Sequence, residues 1–147
     1  MDKKQVVILM AEDNEHDIIA TRRSWQRYNI KNPLYIVNDG EECLDFMYRR
    51  GKYSAPGSAP RPSVLLLDIN MPKINGLQLL EKIREDEQFK HLPVVILTTS
   101  NSDEDKLRSY ELGVNAYIVK PVEFTNFAEA MNKINLFWEL VEDSPVP

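Results

Sequence analysis

Four short apolar runs punctuate the chain, at residues 6–10, 64–67, 94–97 and 116–119. Each is continuous rather than alternating, the pattern of a strand whose two faces are both covered by helices. Residues 34–37 form a fifth, weaker run. The stretches between them carry helical spacing. Residues 15–28 place Ile18, Ile19, Trp25 and Tyr28 near one side, with Asn14 or Glu15 near the start. Residues 41–50 carry Leu44 and Met47, and residues 76–86, opened by Asn75, carry Leu77, Leu80 and Ile83. Residues 103–112 follow a Ser102 cap and stop at Gly113, a natural left-handed residue just past a helix end. The longest helix is expected over 123–141, with Phe124, Phe127, Met131, Ile134 and Trp138 on one stripe.

Strand and helix therefore alternate five times, and right-handed crossovers on both faces make this a doubly wound parallel sheet. By analogy with other five-stranded sheets of this repeat, the expected fold is α/β and flavodoxin-like, a (βα)5 array with strand order 2-1-3-4-5. Its ligand crevice lies at the carboxyl ends of the first and third strands. One domain over residues 1–147 suits the length. Residues 51–62, rich in Gly, Ser and Pro, read as an extended surface loop before the third strand. The tail 142–147 reads as frayed.

Composition narrows the function. The net charge of −5 lacks the basic footprint of a nucleic-acid binder. The single cysteine, Cys43, has no internal partner, which suits a reducing compartment and a small core hydrophobe. No apolar stretch nears the roughly 18 residues that span a bilayer. A cytoplasmic protein with no nucleic-acid or membrane partner is expected. His16 and His91 are expected at the surface.

The chemistry gathers where the apolar runs stop. Glu12 and Asp13 follow the first, Asp68 the third, Thr98 the fourth, and Lys120 and Pro121 the fifth. Parallel strands point these ends the same way, so the side chains converge. Three carboxylates together repel and call for a cation or shifted pKa values. An all-oxygen donor set without Cys or His favours a hard divalent ion, Mg2+ before others. A metal and a lysine bracketing a carboxylate is the arrangement phosphoryl transfer requires. Singly, each residue has a plainer reading: Asp68 as a turn residue, Glu12 and Asp13 as a helix cap, Lys120 as a solvated strand-end lysine, Thr98 as an ordinary strand residue. Their convergence is what outweighs those readings.

The segments Ala-Glu-Asp-Asn (11–14), Leu-Leu-Leu-Asp-Ile-Asn-Met-Pro-Lys-Ile-Asn-Gly (65–76), Val-Val-Ile-Leu-Thr-Thr-Ser (94–100) and Ala-Tyr-Ile-Val-Lys-Pro (116–121) together resemble the receiver domains of two-component response regulators. The similarity runs from about residue 6 to 141. Within the family, the Pro-rich loop, the Leu-Thr-Thr-Ser segment and the Phe137-Trp138 pair resemble the small stand-alone regulators paired with bacterial and cyanobacterial phytochromes. The resemblance implies a phospho-acceptor at Asp68. It implies Mg2+ on Asp13 and Asp68 directly, on Glu12 mainly through water, and on the backbone carbonyl of Asn70. It implies that Lys120 pairs with the phosphoryl oxygens, that Thr98 moves to hydrogen-bond them, and that Tyr117 rotates inward behind it. Glu12 stands where an aspartate is commoner. Thr99 is bulkier than the usual Ala or Gly and bears on the lifetime of the phosphorylated state.

The expected function is then a stand-alone phospho-accepting regulator rather than an enzyme acting on external substrates. The phosphoryl donor would be a histidine of a sensor kinase, a bacteriophytochrome among the candidates. Output would pass through non-covalent contacts of the fourth helix, fifth strand and fifth helix, to a partner, a homodimer or a histidine phosphotransfer protein. The wide apolar band on the last helix marks Phe124, Phe127, Phe137 and Trp138 as interface candidates. A haloacid-dehalogenase-type phosphatase would want a second carboxylate two residues after the acceptor, in the first strand; here that position is Asn70, in the third. A degenerate receiver, acting as a phosphorylation-independent interaction module, would have lost an acidic residue or the lysine. No P-loop motif is present.

Overall fold

A computed structural model describes residues 6–133. Five parallel strands, β1 (Ile8–Ala11), β2 (Leu34–Val37), β3 (Val64–Leu67), β4 (Val94–Thr98) and β5 (Ala116–Val119), alternate with helices α1 (Glu15–Arg27), α2 (Gly40–Tyr48), α3 (Gly76–Glu85), α4 (Asp103–Glu111) and α5 (Phe124–Lys133). The sheet order is β2-β1-β3-β4-β5, as expected, with every pairing parallel.

Two separate cores explain the unbroken apolar runs. Along β1, Leu9 and Ala11 enter one cluster while Ile8 and Met10 enter the other. The same split divides Leu65 and Leu67 from Val64 and Leu66, and Val94 and Ile96 from Val95 and Leu97. Successive strand side chains point to opposite faces, so a strand covered on both sides needs no polar position. The first cluster holds Cys43, Phe46, Leu79, Leu80 and Ile83 from α2 and α3; the second takes Phe127 and Ala130 from α5 and packs against Trp25 of α1.

Helix ends follow local chemistry. Asn14, Asp39, Asn75 and Ser102 cap the first four helices through their side chains. Asn75 and Gln78 form a reciprocal capping box. Gly113 takes φ +78° just after α4, as its position in the sequence predicts.

Two expectations need correction, and a third gains detail. In α1, Ile19 and Tyr28 are 41% and 37% exposed, so the apolar stripe reduces to Ile18 and Trp25, both half-buried. The half-buried positions on that side include the smaller, more polar Asp17, Thr21 and Ser24, which line a cavity. The 51–62 segment is mostly exposed, as a surface loop should be, but it is anchored. It begins with a 3-10 turn (Gly51–Tyr53), buries Ala59 and Pro62, and is tied down by Arg49 Nε donating to the Ala59 carbonyl (3.0 Å) and Tyr53 Oη to Glu42 (2.6 Å). Phe127 is no interface residue: it is buried in the second core, its ring 5.9 Å from that of Trp25. Phe137, Trp138 and the tail 142–147 lie outside the described residues, as does the part of the expected 123–141 helix beyond Lys133; the side chain of Phe124 is likewise not described. His16 and His91 are exposed and Cys43 is buried, as expected. No helix among the described residues is long and apolar enough to cross a membrane.

Candidate functional site

The sheet ladder continues one bond past the strands and so sets the site. Glu12 N–H donates to the Val37 carbonyl (2.9 Å), Asp68 N–H to Ala11 (3.1 Å) and Lys120 N–H to Thr98 (2.8 Å). The acidic residues and the lysine are thereby held as the first residues beyond their strands, on one edge of the sheet. The Lys120–Pro121 peptide is cis.

Lys120 is the centre of the arrangement. Its Nζ donates to Glu12 Oε1 (2.5 Å), Asp17 Oδ2 (2.7 Å) and Asp68 Oδ2 (3.2 Å). Glu12, Asp68 and Thr98 are among the few buried polar residues, while Asp13 is exposed at the mouth. Burial, reinforced by the nearby Asp68 charge and only partly offset by Lys120, pushes the Glu12 carboxyl up to about 7. For Lys120, burial favours the neutral amine, but Asp17, Glu12 and Asp68 more than reverse that and hold it above the ordinary lysine value. The strand-end carboxylates thus share one ammonium, and the site is short of positive charge.

Carboxylate oxygens of Glu12, Asp13 and Asp68 lie within 4.8 Å of one another. All three donors are hard oxygens, and the buried Glu12 is costly to ionise without a cation. The residues therefore fit a divalent ion of the Mg2+ type. Asn70, two residues beyond Asp68, is exposed and its N–H donates to Asp68 Oδ1 (3.2 Å). Both Asp68 oxygens are thus oriented, one by the lysine and one by this turn. The turn is closed by Gly76, whose N–H donates to the Ile69 carbonyl (2.8 Å) and whose position leaves no room for a side chain. A Cβ there would lie 2.3 Å from the Asp68 carbonyl oxygen.

Thr98 and Tyr117 meet at Ser100. Thr98 Oγ1 accepts from the Ser100 N–H (3.2 Å), and Tyr117 Oη donates to the Ser100 carbonyl (3.0 Å). Ser100 Oγ in turn donates to Asp105 in the first turn of α4 (2.6 Å). Burial, with Asp105 and Asp68 nearby, raises the half-buried Tyr117 hydroxyl. Thr99 points outward and is exposed.

Glu12, Asp13, Asp68 and Lys120 thus come together, with Thr98 buried at the end of the neighbouring strand. The sequence analysis overlooked Asp17. It lies in the first turn of α1, where an acidic residue has the plainer reading of a helix-dipole partner, so the sequence did not single it out. Ser100 ends the 94–100 segment but was given no role there, and Asp105 was overlooked because no motif marks it.

Comparison with known proteins agrees with this picture. The family model of the response regulator receiver domain matches residues 8–132. Response regulator Rcp1 of Synechocystis sp. is 35% identical over 132 residues, covering 90% of this chain and 88% of its own. Among solved structures, the bacteriophytochrome response regulator RtBRR superposes with TM-score 0.81 at 41% identity over 92% of this chain and 81% of its own. A Mn(2+)-bound form of response regulator Rcp1 gives TM-score 0.75 at 34% identity over 97% and 99%. The phosphorylated cyanobacterial phytochrome response regulator RcpA gives 0.76 at 32% identity over 92% and 94%. With the strand order, the acidic crevice and these matches in agreement, the chain belongs to the response regulator receiver domain family.

Proposed function

We propose that the chain is a stand-alone response regulator that accepts a phosphoryl group on Asp68 from a histidine of a sensor kinase. The observation that carries this reading is the setting of Asp68: a nearly buried carboxylate, one oxygen on the Asn70 N–H, the other facing Lys120, beside Glu12 and Asp13. In the transfer the N–P bond of a phosphohistidine breaks, its imidazole leaving with the electron pair, as an Asp68 oxygen forms the new O–P bond. Transfer to an acid needs positioning and charge neutralisation more than covalent help from the protein.

Glu12, Asp13, Asp68 and the Asn70 carbonyl are the proposed holders of Mg2+, which when bound neutralises charge on the phosphoryl oxygens. Lys120 supplies a fixed point charge on the other side. Thr98 gives up its bond from Ser100 to reach the phosphoryl group, and Tyr117 turns inward with it. Thr99, beside Thr98, bears on how long the acyl phosphate lasts. Asn70 in place of a second carboxylate supports a receiver rather than a phosphatase acting on external substrates.

The relatives named for phytochromes support a bacteriophytochrome-type kinase as donor. Output passes through the face made by α4, β5 and α5, to a protein partner, a second copy of the chain or a histidine phosphotransfer protein. Exposed Leu107, Tyr110 and Val122 on that side favour a protein contact. The absence of a spanning helix among the described residues accords with a cytoplasmic setting.

Incubation with acetyl phosphate and Mg2+, read by intact-protein mass, tests the proposal. Wild type should gain one phosphoryl group, and Asp68→Asn, or wild type with chelator, none. A wild-type protein that gains nothing beside a competent control receiver would turn the reading towards a phosphorylation-independent interaction module.

A further inference from the structure

Asp17 belongs to no strand end, yet it makes a 2.7 Å contact with Lys120, against 3.2 Å for Asp68. Its place is set by α1. The Asp17 N–H is bonded to the capping Asn14 Oδ1 (3.0 Å), and its carbonyl accepts from Thr21 Oγ1 (2.8 Å). With main chain fixed on both sides, the carboxylate is presented to an ammonium 103 residues away in sequence.

We propose that Asp17 is a positioning residue that restrains Lys120 on the α1 side and so weakens the hold of Lys120 on a phosphoryl group at Asp68. This rests on the phospho-acceptor reading above. An ammonium has three N–H donors, and Glu12, Asp17 and Asp68 take all three. A phosphoryl group on Asp68 frees the donor now on that carboxylate and places its anionic oxygens further out, so Lys120 reaches them by shifting away from Glu12 or Asp17. Glu12 is fully buried, and water has no access to take the place of its ammonium there. Asp17 has a side chain 36% exposed, and water can replace the lysine there. It is the contact with the lower cost of release.

Asp17 and Lys120 also both line a cavity of about 200 Å³ between α1 and the start of α5, bounded by Trp25, Leu97 and Phe127. Lys120 thus borders a cavity on the α1 side and the acidic crevice on the other. The balance between Asp17 and the group on Asp68 decides where it settles. Asp17→Asn keeps the shape and the ability to accept a hydrogen bond but removes the charge that competes with the phosphoryl oxygens.

Beryllofluoride, a non-covalent stand-in for the phosphoryl group, provides the test in the full-length protein with Mg2+, read by calorimetry. Asp17→Asn should bind it about three- to tenfold more tightly than wild type, the scale of one charged contact. Affinity for Mg2+ alone should be unchanged or lower, because a nearby negative charge has gone. Thr21→Ala, which removes the α1 support but keeps the carboxylate, should bind beryllofluoride as wild type does. A structural role would weaken both ligands or move the two variants together, and either pattern overturns the inference. Equal or weaker beryllofluoride binding by Asp17→Asn overturns it while leaving the acceptor reading intact. Wild type that binds Mg2+ but not beryllofluoride overturns the acceptor reading itself, and this inference with it.

Discussion

Helices α3 and α4 are of similar length and flank the same strand, yet they are held in opposite ways. α3 buries Leu79, Leu80 and Ile83 along one face. α4 buries only Ser109, whose Oγ has no hydrogen-bond partner, and turns Leu107 and Tyr110 out to solvent at 65% and 54% exposure. What fixes α4 is polar and placed at its ends. At its start, Asp105 accepts from Ser100 and Ser102 caps the helix. At its finish, the guanidinium of Arg84, reaching from α3, donates to the Leu112 (2.6 Å) and Gly113 (3.0 Å) carbonyls as well as to Lys90 and Leu92. Arg108 pairs with Glu81 of α3 across a surface gap of 3.4 Å. Hydrogen bonds give about 0.5–1.5 kcal/mol each, against about 1.5–3 kcal/mol for one fully buried aliphatic side chain. Mobile switching elements are drawn from the weakly packed end of a structure, and α4 is a helix of that kind.

The contrast is open to attack by mutation. Ile83→Ala should cost about 2–5 kcal/mol in urea unfolding, whereas Leu107→Ala should stay within about 0.5 kcal/mol of wild type. Comparable losses would mean that α4 is anchored by apolar burial after all. Arg84→Met, which strips four carbonyls of a charged donor, should cost about 2–3 kcal/mol. Amide exchange should then accelerate in α4 far more than in the body of α3; uniform acceleration would refute the clamp. Of the polar anchors, the smaller loss is expected at Ser102→Ala, about 1 kcal/mol of capping energy. It should be seen as faster exchange of the Asp105 amide, with α3 unaffected.

The same contrast explains what the sequence could tell. α3 and the strands were legible because apolar burial writes itself into residue spacing, and runs such as 64–67 have no other reading. The convergence of Glu12, Asp13, Asp68 and Lys120 was legible because parallel strands bring their ends together once the order is known. α1 misled because it buries no residue fully, and its half-buried side mixes Ile18 and Trp25 with Asp17, Thr21 and Ser24, small and polar residues that no hydropathy pattern distinguishes from a solvated face. Phe127 misled for the opposite reason: an apolar stripe does not say whether the core or another protein covers it. Polar links such as Arg84 to the end of α4, or Ser100 to Asp105, depend on three-dimensional proximity and leave no periodic trace.

Gly76 carries a consequence beyond the turn it closes. A Cβ at position 76 would sit 2.3 Å from the Asp68 carbonyl oxygen and 2.7 Å from Ile69 Cα. On the far side of the same loop, a Cβ at Gly40, the first residue of α2, would sit 2.4 Å from the Ile74 carbonyl oxygen. The segment from Asp68 to Gly76 is thus gripped between the openings of two helices, with no clearance at either. Variation can exchange the side chains that face the crevice one at a time, testing new metals, lifetimes or partners. The path of the backbone that presents Asp68 has no such freedom, because a single methyl group at either glycine would push the loop out of place. Evolution and engineering can readily retune this site; relocating its acceptor would require moving α2, α3 and the loop in concert.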